Sequence, residues 1–351
     1  MGGDAVKPSV RLWLGVLALV LIGWLVGERI HPGYVIFRPG PAFNTLGSVG
    51  QGPLIRVDGA PTYPTTGALS FTTVTMTGGP GFEIGLWDYL AARLDQHAEV
   101  RPRDEVFPPE ATRETVSSLS KAQMTDSQQE AVAVALRATG HAVSERSTVR
   151  EVIPSGPAVG LLREGDIIRT VAGKAITATA QIPALVRAQP AGQPVVFEVL
   201  RGGTPVSVSV PTRSIEGRQY VGVGLEATFT FPVQVTIDAG DVGGPSAGMM
   251  FALGVYDTLT PGPLTGGQSI AGTGTVDSSG AVGPIDSIAN KMVGARSAGA
   301  RWFLAPAANC DGVLGRIPDG LQVAKVATFA EAKAAVEVIA AGRGQELHGC
   351  S

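Results

Sequence analysis

The chain has 351 residues, enough for two or three domains, and its net charge of −3 excludes the strongly basic surface that nucleic acid would need. Hydrophobic residues make up 44% and charged residues 16%, which excludes a disordered chain. The histidines are dispersed and the two cysteines, Cys310 and Cys350, lack metal-ligand spacing, so no metal site and no cofactor are predicted. Two cysteines do not define a disulfide framework, so their pairing stays open at this level.

An uncharged apolar segment, residues 12–27, lies near the N-terminus. As a helix it would span roughly 24 Å, slightly less than the hydrocarbon core of a bilayer. Lys7 and Arg11 precede it, so the positive-inside rule predicts a single-pass anchor in the cell membrane, a cytoplasmic stub (1–11) and later domains outside. A cleaved signal peptide is the competing interpretation, but the end of the segment lacks the small residues that cleavage needs.

Residues 33–128 read as a β-rich region that also contains helices. Residues 68–74 have the β-branched and aromatic content of a strand. Residues 82–97 place apolar side chains at helical intervals, and residues 126–139 also have a helical pattern.

Residues 141–213 change character and predict a small β-domain. A strand, a Pro-Gly turn, a short helix and a second strand are followed by two late strands joined at Gly202-Gly203. The segment SGPAVGLLREGDIIRTVAGKAI and the LRGG turn resemble a bacterial PDZ domain over residues 130–213. The resemblance implies a groove that takes an extended peptide as an added strand, with a binding loop near residues 139–144. A purely structural module is the alternative.

Strict alternation of apolar residues over 221–237 predicts two strands with a break near Pro232. A glycine-rich turn containing Ser246 follows, and residues 249–256 are apolar enough for a helix, with Pro245 suited to its first position. Backbone N–H groups at such a junction can stabilise an oxyanion. On its own, however, the GPSAG sequence fits a turn with a capping serine equally well.

A second element, residues 286–300, is a predicted helix with an apolar stripe at Ile288, Met292 and Ala295. Lys291 lies on the edge of that stripe. A lysine turned inward loses hydration, so its pKa falls and the neutral amine can take a proton from a serine hydroxyl. A lysine whose stem packs on the protein while its ammonium reaches water is the alternative.

Three segments together resemble the Lon protease family: GGPSAG around Ser246, TGTVDSSGAVGPIDSIANK over 273–291, and the PAAN turn at 306–309. The resemblance covers about residues 220–340. It implies Ser246 as nucleophile, Lys291 as general base, Thr273 as the residue that orients the amine, and backbone N–H groups around Gly244 and Ser246 as the oxyanion hole.

Two positions depart from the family pattern. Gly243 and Thr275 stand where Lon has acidic residues, and Asp241 is a candidate replacement for the first. Neither departure removes the predicted dyad.

The expected architecture is α+β: a transmembrane helix (12–27), a PDZ domain (130–213), a Lon-type proteolytic domain of mixed β-sheets with packed helices (218–342), and a tail (343–351). The β-rich region 33–128 is expected to complete the protease domain, which makes the PDZ domain an insertion. No GxxxxGK[ST] phosphate loop is present, so the predicted activity is that of an ATP-independent serine endopeptidase. Expected partners are protein or peptide substrates recruited through the PDZ groove, the membrane, and further copies of the chain, since Lon-like domains often form rings.

Three other interpretations use the same residues. A non-catalytic PDZ scaffold would only bind peptides. An α/β-hydrolase-like esterase would pair Ser246 with His348, in the chain order that this fold requires. Ser118 and Lys121 also fit an SxxK pattern, but the companion motifs of penicillin-recognising enzymes are missing.

Overall fold

The computed structural model describes residues 8–49 and 52–350, without the side chains of residues 8–12 and Val49. Most of the predicted cytoplasmic stub therefore lies outside the described residues. The architecture is mixed α+β, with helices packed against two six-stranded sheets. The mixed sheet of the larger unit is called the large sheet, and the antiparallel sheet of the smaller unit, residues 144–230, is called the smaller sheet.

The N-terminal helix α1 (Pro8–Glu28) contains the segment predicted to cross the membrane. Its end lies against the following domain, where the Trp87 indole N–H donates to the Trp24 carbonyl oxygen at 3.0 Å. The side chains of α1 are described from Trp13 onward. Within the described residues, no helix is both long enough and apolar enough to cross a membrane.

The next part of the chain forms strands and three helices. The longest helix starts at an N-cap, Thr112, whose hydroxyl accepts from the Thr115 N–H, and ends before Gly140 in the left-handed region. The elements are β1 (Tyr34–Asn44), β2 (Ser48–Val49), β3 (Gly52–Pro53), β4 (Ile55–Asp58), β5 (Ala68–Thr77), α2 (Leu86–Leu94), β6 (Glu99–Pro102), α3 (Arg103–Val106) and α4 (Arg113–Ala138).

Residues 144–230 build the smaller sheet around a core that includes Phe197, Val171 and Ile182. The elements are β7 (Ser144–Val152), β8 (Ile167–Val171), β9 (Lys174–Ala175), α5 (Gln181–Arg187), β10 (Val195–Arg201), β11 (Thr204–Val210), β12 (Arg213–Ile215), β13 (Arg218–Tyr220) and β14 (Val223–Thr230). The strands of the sheet run in the order β11-β10-β8-β7-β14, with β9 paired to β8.

β14 lies beyond the predicted PDZ boundary near 213–218, yet it pairs antiparallel with β7 over its whole length and so extends this sheet. One sequence-based expectation about this sheet is corrected. The predicted binding loop, residues 139–144, connects α4 to β7, whose outer edge is already occupied by β14. No peptide can add to that edge while β14 is there.

The rest of the chain contributes β15 (Gln234–Ile237), α6 (Gly248–Leu259), β16 (Ser269–Gly272), β17 (Thr275–Val276), β18 (Val282–Gly283), α7 (Ile288–Ser297), β19 (Trp302–Pro306), α8 (Cys310–Val313), β20 (Gln322–Val326) and α9 (Phe329–Ala340). The large sheet has the order β20-β19-β16-β5-β1-β6. It therefore combines strands from before and after the smaller sheet. In sequence, the smaller sheet lies between the two sets of strands.

The core of the large unit is centred on α6, whose Met249, Met250 and Phe251 are fully buried. Helices α4 and α9 pack beside it, and Phe71 of β5 meets Phe251 edge to face. At the far side of the sheet, Cys310 and Cys350 form a disulfide, which joins the start of α8 to the C-terminal segment. The pairing that the sequence left open is thus present.

Candidate active site

Ser246 lies in the tight turn that connects β15 to α6. The turn requires glycine, because Gly240 and Gly244 adopt φ values of 59° and 87°. Helix α6 begins at Gly248, so Pro245 and Ser246 precede it, and the expectation that Pro245 opens the helix is corrected. The Ser246 carbonyl oxygen accepts from the Gly274 N–H at 2.8 Å and from the Thr273 hydroxyl at 3.0 Å, which fixes the turn against the end of β16.

Lys291 projects from α7, which packs across β1 and β5. The approach is close, because a Cβ built on Gly294 would lie 2.5 Å from the Gly40 carbonyl oxygen. The buried Asn290 amide donates to the Phe37 carbonyl oxygen at 3.2 Å and fixes the helix along β1. Only 4% of Lys291 remains exposed, so the alternative of an ammonium that reaches water does not describe this side chain.

The structure brings together the three predicted side chains. Lys291 Nζ lies 2.7 Å from Ser246 Oγ and 3.3 Å from Thr273 Oγ1. Burial lowers the pKa of Lys291 from its ordinary value to about 8, and the negative charge of Asp286 opposes this shift. With this pKa roughly a tenth of the amine is neutral at pH 7. A neutral amine at hydrogen-bond distance can accept the serine proton.

The entry to α7 is held by side-chain contacts of its own. The Asn309 amide donates to the Ile285 carbonyl oxygen at 2.8 Å, and its oxygen accepts from the Ile285 N–H at 2.9 Å. Ser287, at a left-handed φ of 55°, donates its hydroxyl to Glu99 at 2.7 Å. Asn309 belongs to the PAAN turn noted in the sequence, so that turn positions the helix that carries Lys291.

The predicted oxyanion-hole donor Gly244 is already engaged. Its N–H donates to the Ser120 carbonyl oxygen of α4 at 2.9 Å, so in this structure it does not face the site. The N–H groups of Gly243 and Ser246 have no hydrogen-bond partner within the described part of the chain. The Ala247 N–H likewise has no partner there, so these N–H groups of the turn are the candidate donors for an oxyanion.

Helix α4 contacts the turn that carries Ser246, residues 238–247 (the nucleophile turn of the predicted site), at two further places that the sequence did not reveal. The Ser127 hydroxyl donates to the Pro245 carbonyl oxygen at 2.9 Å, and Met124 lines the same cleft as Ser246. Ser127 is buried, but no sequence pattern marks it, because α4 consists mostly of polar and alanine residues.

Ser246 and Lys291 open into a cleft of about 630 Å³ whose wall includes residues 72–75 of β5. β16 pairs with β5 only from Ala68 to Phe71, and beyond that point no strand of the described chain pairs this edge. A second cleft of about 480 Å³ shares Asp241 and Gly243 with the first and is lined by apolar side chains including Phe82 and Phe107. An extended chain laid along β5 would thus pass Ser246 and reach the second cleft.

The other candidate residues are elsewhere. His348 is exposed, and its carbonyl oxygen accepts from the Lys325 N–H on β20, the outermost strand of the large sheet. The Ser118 hydroxyl donates to the Thr115 carbonyl oxygen within α4, and Lys121 lines the second cleft. Neither pair places a base at a serine hydroxyl.

Comparison with known proteins identifies two domains in the chain. The profile of the Lon protease (S16) C-terminal proteolytic domain matches residues 218–341, which include Ser246, Thr273 and Lys291. The profile of the PDZ domain matches residues 122–212. The chain therefore contains a PDZ domain and a Lon-type proteolytic domain. The resemblance identified in the sequence is confirmed at the level of both domains.

Individual relatives match smaller parts of the chain. Lon protease 2 of Bacillus subtilis is 33% identical over 101 residues, which is 29% of this chain and 17% of that protein. Among solved structures, the PDZ domain of an SdrC-like protein from Listeria innocua shows 20% identity and a TM-score of 0.22, covering 23% of this chain and 92% of that one. The PDZ domain of the SdrC-like protein from Listeria monocytogenes shows 21% identity and a TM-score of 0.21, covering 22% of this chain and 85% of that one.

Proposed function

We propose that this chain is an ATP-independent serine endopeptidase with Ser246 as nucleophile and Lys291 as general base. The observation that carries the proposal is the 2.7 Å contact between the Ser246 hydroxyl and a buried amine whose pKa is lowered to about 8. An amine kept from water in contact with a serine has no evident structural use, because it leaves a titratable group poorly solvated.

In the first step, neutral Lys291 takes the hydroxyl proton as Ser246 Oγ attacks the carbonyl carbon of the scissile peptide bond. The tetrahedral oxyanion accepts hydrogen bonds from the N–H groups of Ser246 and Gly243. The Lys291 ammonium then returns the proton to the leaving nitrogen, and the bond to the amine breaks. Water attacks the acyl ester with Lys291 again as base, which regenerates the serine. Thr273 keeps the amine in place through its contacts with Nζ and with the Ser246 carbonyl oxygen.

Substrates are proposed to bind as extended segments along the unpaired part of β5 and to be recruited by the PDZ domain. Since residues 1–351 contain no phosphate-loop motif, unfolded or loosely folded segments are the expected substrates of this chain. Efficient degradation of a stable globular protein by the chain alone would contradict this part of the proposal.

The same proposal places the protein at the outer face of a membrane, attached through α1. Two observations support this placement: the side chains of α1 such as Trp13 and Leu17 are mostly exposed, and Cys310–Cys350 is a disulfide of the kind that persists in oxidising compartments. Fractionation of cells, with the full chain compared with one lacking residues 1–28, tests it. Equal release of both forms into the soluble fraction would refute the attachment.

The test of the dyad uses an internally quenched unstructured peptide and a fluorophosphonate probe. Ser246→Ala and Lys291→Met should each abolish cleavage, and Ser246→Ala should also abolish labelling. His348→Ala and Ser207→Ala, at two exposed positions outside the residues that line the cleft, are the matched controls and should retain full activity. Unchanged cleavage in either dyad variant, or no cleavage by the parent chain, would refute the proposal, and loss in His348→Ala would favour the hydrolase.

A further inference from the structure

The edge strand β14 offers a place for an added peptide. One of its edges pairs with β7 along its full length, and no other strand in residues 8–49 or 52–350 pairs the opposite edge. An open edge presents unpaired N–H and C=O groups, which is the recognition surface that PDZ domains use. The site of strand addition in this PDZ sheet is therefore β14 and not the predicted loop at 139–144.

A cleft of about 330 Å³ runs beside this strand. Leu225, Ala227 and Phe229 of β14 line one side, while the alternate residues Glu226 and Thr228 are more exposed. The other side comes from the start of α5, where Thr179, Ala180 and Pro183 line the cleft. An extended peptide between β14 and α5 would bury apolar side chains on the β14 face.

The third wall of the cleft comes from outside the PDZ sheet. Asp126, Gln129 and Glu130 of α4 line it together with Asp277, which follows β17. With Glu226, four carboxylates thus face a cleft whose lining contains one basic residue, Arg150. Within the described residues, none of these four carboxylates forms an ion pair.

The walls are held in place by a buried carboxylate, Glu145 at the start of β7. It accepts from the Arg137 guanidinium of α4 at 3.0 Å, from the Ser278 hydroxyl at 2.9 Å and from the Thr179 N–H at 2.7 Å. Its side chain is fully shielded from solvent. One residue thus ties α4, the β17–β18 turn and the entry of α5 together, so the cleft is a fixed feature of the junction.

Electrostatics favour a cation in this cleft. Burial, followed by the charges of Asp277, Asp126 and Glu145, raises the pKa of Glu130 to about 7. The carboxylates therefore repel each other when all are ionised. A positive side chain placed among them would remove that repulsion.

We propose that this composite cleft binds an extended peptide segment carrying a lysine or arginine, which adds as a strand to β14 and places its cation among Asp126, Glu130 and Asp277. The inference rests on the proposed function and names the substrate class for recruitment: protein segments with a basic residue. The same helix that forms the acidic wall holds the nucleophile turn, because Ser127 is the neighbour of Asp126 in α4. A recruited segment is thus bound one helix away from Ser246.

The test measures fluorescence anisotropy of labelled peptides on the full chain carrying Ser246→Ala, so that nothing is cleaved. Two peptides share an apolar alternating sequence and differ at one position, Lys in one and Glu in the other. The lysine peptide should bind at least about tenfold more tightly at low salt. Asp126→Asn combined with Glu130→Gln should abolish the difference, and Glu130→Lys should invert it. Glu114→Gln, an exposed acid on the same helix, is the matched control and should leave it unchanged.

Ala227→Trp, which fills the cleft, should abolish binding of both peptides, with circular dichroism and thermal melting confirming that the variant is folded. Unchanged binding in that variant, or an unchanged lysine preference in the double variant, would overturn the inference. Cleavage by the parent chain of a short peptide without basic residues is measured separately. If that cleavage occurs while the cleft variants have no effect, only the cleft proposal fails. If the cleft variants act as expected but the parent cleaves nothing, only the protease proposal fails.

Discussion

The Ser127 hydroxyl donates a 2.9 Å hydrogen bond to the Pro245 carbonyl oxygen across 118 positions of the sequence. This contact links the middle of α4 to the residue directly before the proposed nucleophile. Together with the bond from the Gly244 N–H to the Ser120 carbonyl oxygen, it makes α4 a support of the turn on which catalysis would depend.

Ser127→Ala should therefore slow cleavage without greatly weakening substrate binding. The lost hydrogen bond is worth about 0.5–1.5 kcal/mol, which corresponds to a decrease in kcat of roughly twofold to tenfold if it acts through the position of Ser246. Steady-state kinetics with an unstructured peptide measure kcat and KM separately. Ser118→Ala is the control, because the Ser118 hydroxyl bonds only within α4. An unchanged kcat in Ser127→Ala would show that the turn does not need this support.

The pH dependence of cleavage should reflect the pKa of Lys291. Since the base must be neutral, kcat/KM should rise with pH and level off above the Lys291 pKa of about 8. Peptide cleavage measured in buffers of constant ionic strength gives the profile of the free enzyme. A profile that is flat between pH 6 and pH 9, roughly one unit or more on either side of that pKa, would exclude Lys291 as the titrating base.

The free energy of unfolding should also depend on the protonation of Lys291. The folded state holds the Lys291 pKa near 8 against an ordinary value of 10.5, so between these values the unfolded chain binds more protons. The free energy of unfolding should consequently increase with pH across that window, relative to a Lys291→Met variant in which this contribution is absent. At neutral pH the methionine variant should be more stable, by an amount on the order of 2 kcal/mol. Urea titrations at pH 7 and pH 10 supply the comparison, and identical pH slopes for the two proteins would contradict it.

The parts of the site that the sequence predicted are those with a local signature. Lys291 was placed inward because Ile288 and Met292 on the same helix mark the buried face. Ser246 was placed in a turn because glycine and proline surround it. Thr273 was assigned by resemblance alone, and its contact with Lys291 depends on how β16 ends beside the nucleophile turn.

The parts that were missed depend on long-range pairing. Alternation over 221–237 correctly indicated two strands broken near Pro232, but a period of two identifies the buried face and not the neighbouring strand. The pairing of β14 with β7, and hence the position of the open PDZ edge, could not follow from it. The engagement of Gly244 by Ser120 was equally hidden, since a backbone carbonyl leaves no mark in the sequence.

The disulfide gives a prediction about redox conditions. Cys310 and Cys350 close a segment of sequence separation 40, and loss of such a crosslink typically costs about 2–4 kcal/mol. Thermal melting of the oxidised chain should therefore shift downward on addition of reductant. The Cys310→Ser/Cys350→Ser variant should melt at the lower temperature with or without reductant. A parent chain insensitive to reductant would indicate that the bond does not contribute to stability.

The contact between Gly243 and α4 should show energetic coupling. A Cβ at Gly243 would collide with the Ser120 hydroxyl, so Gly243→Ala should lower both stability and kcat, the latter by about tenfold or more. Ser120→Ala removes the colliding oxygen and keeps the carbonyl that engages Gly244, so it should restore part of the loss in the double variant.

Gly244→Ala is the contrasting variant for this comparison of single and double variants. Gly244 has a φ of 87°, which is strained for alanine whatever its neighbours are, and no side chain lies near its Cβ position. Ser120→Ala should therefore give no rescue of Gly244→Ala. Kinetics and thermal melting of the single and double variants measure both couplings. Equal rescue of the two glycine variants would mean that Ser120→Ala acts by stabilising the protein generally and not by relieving a collision with the Gly243→Ala methyl group.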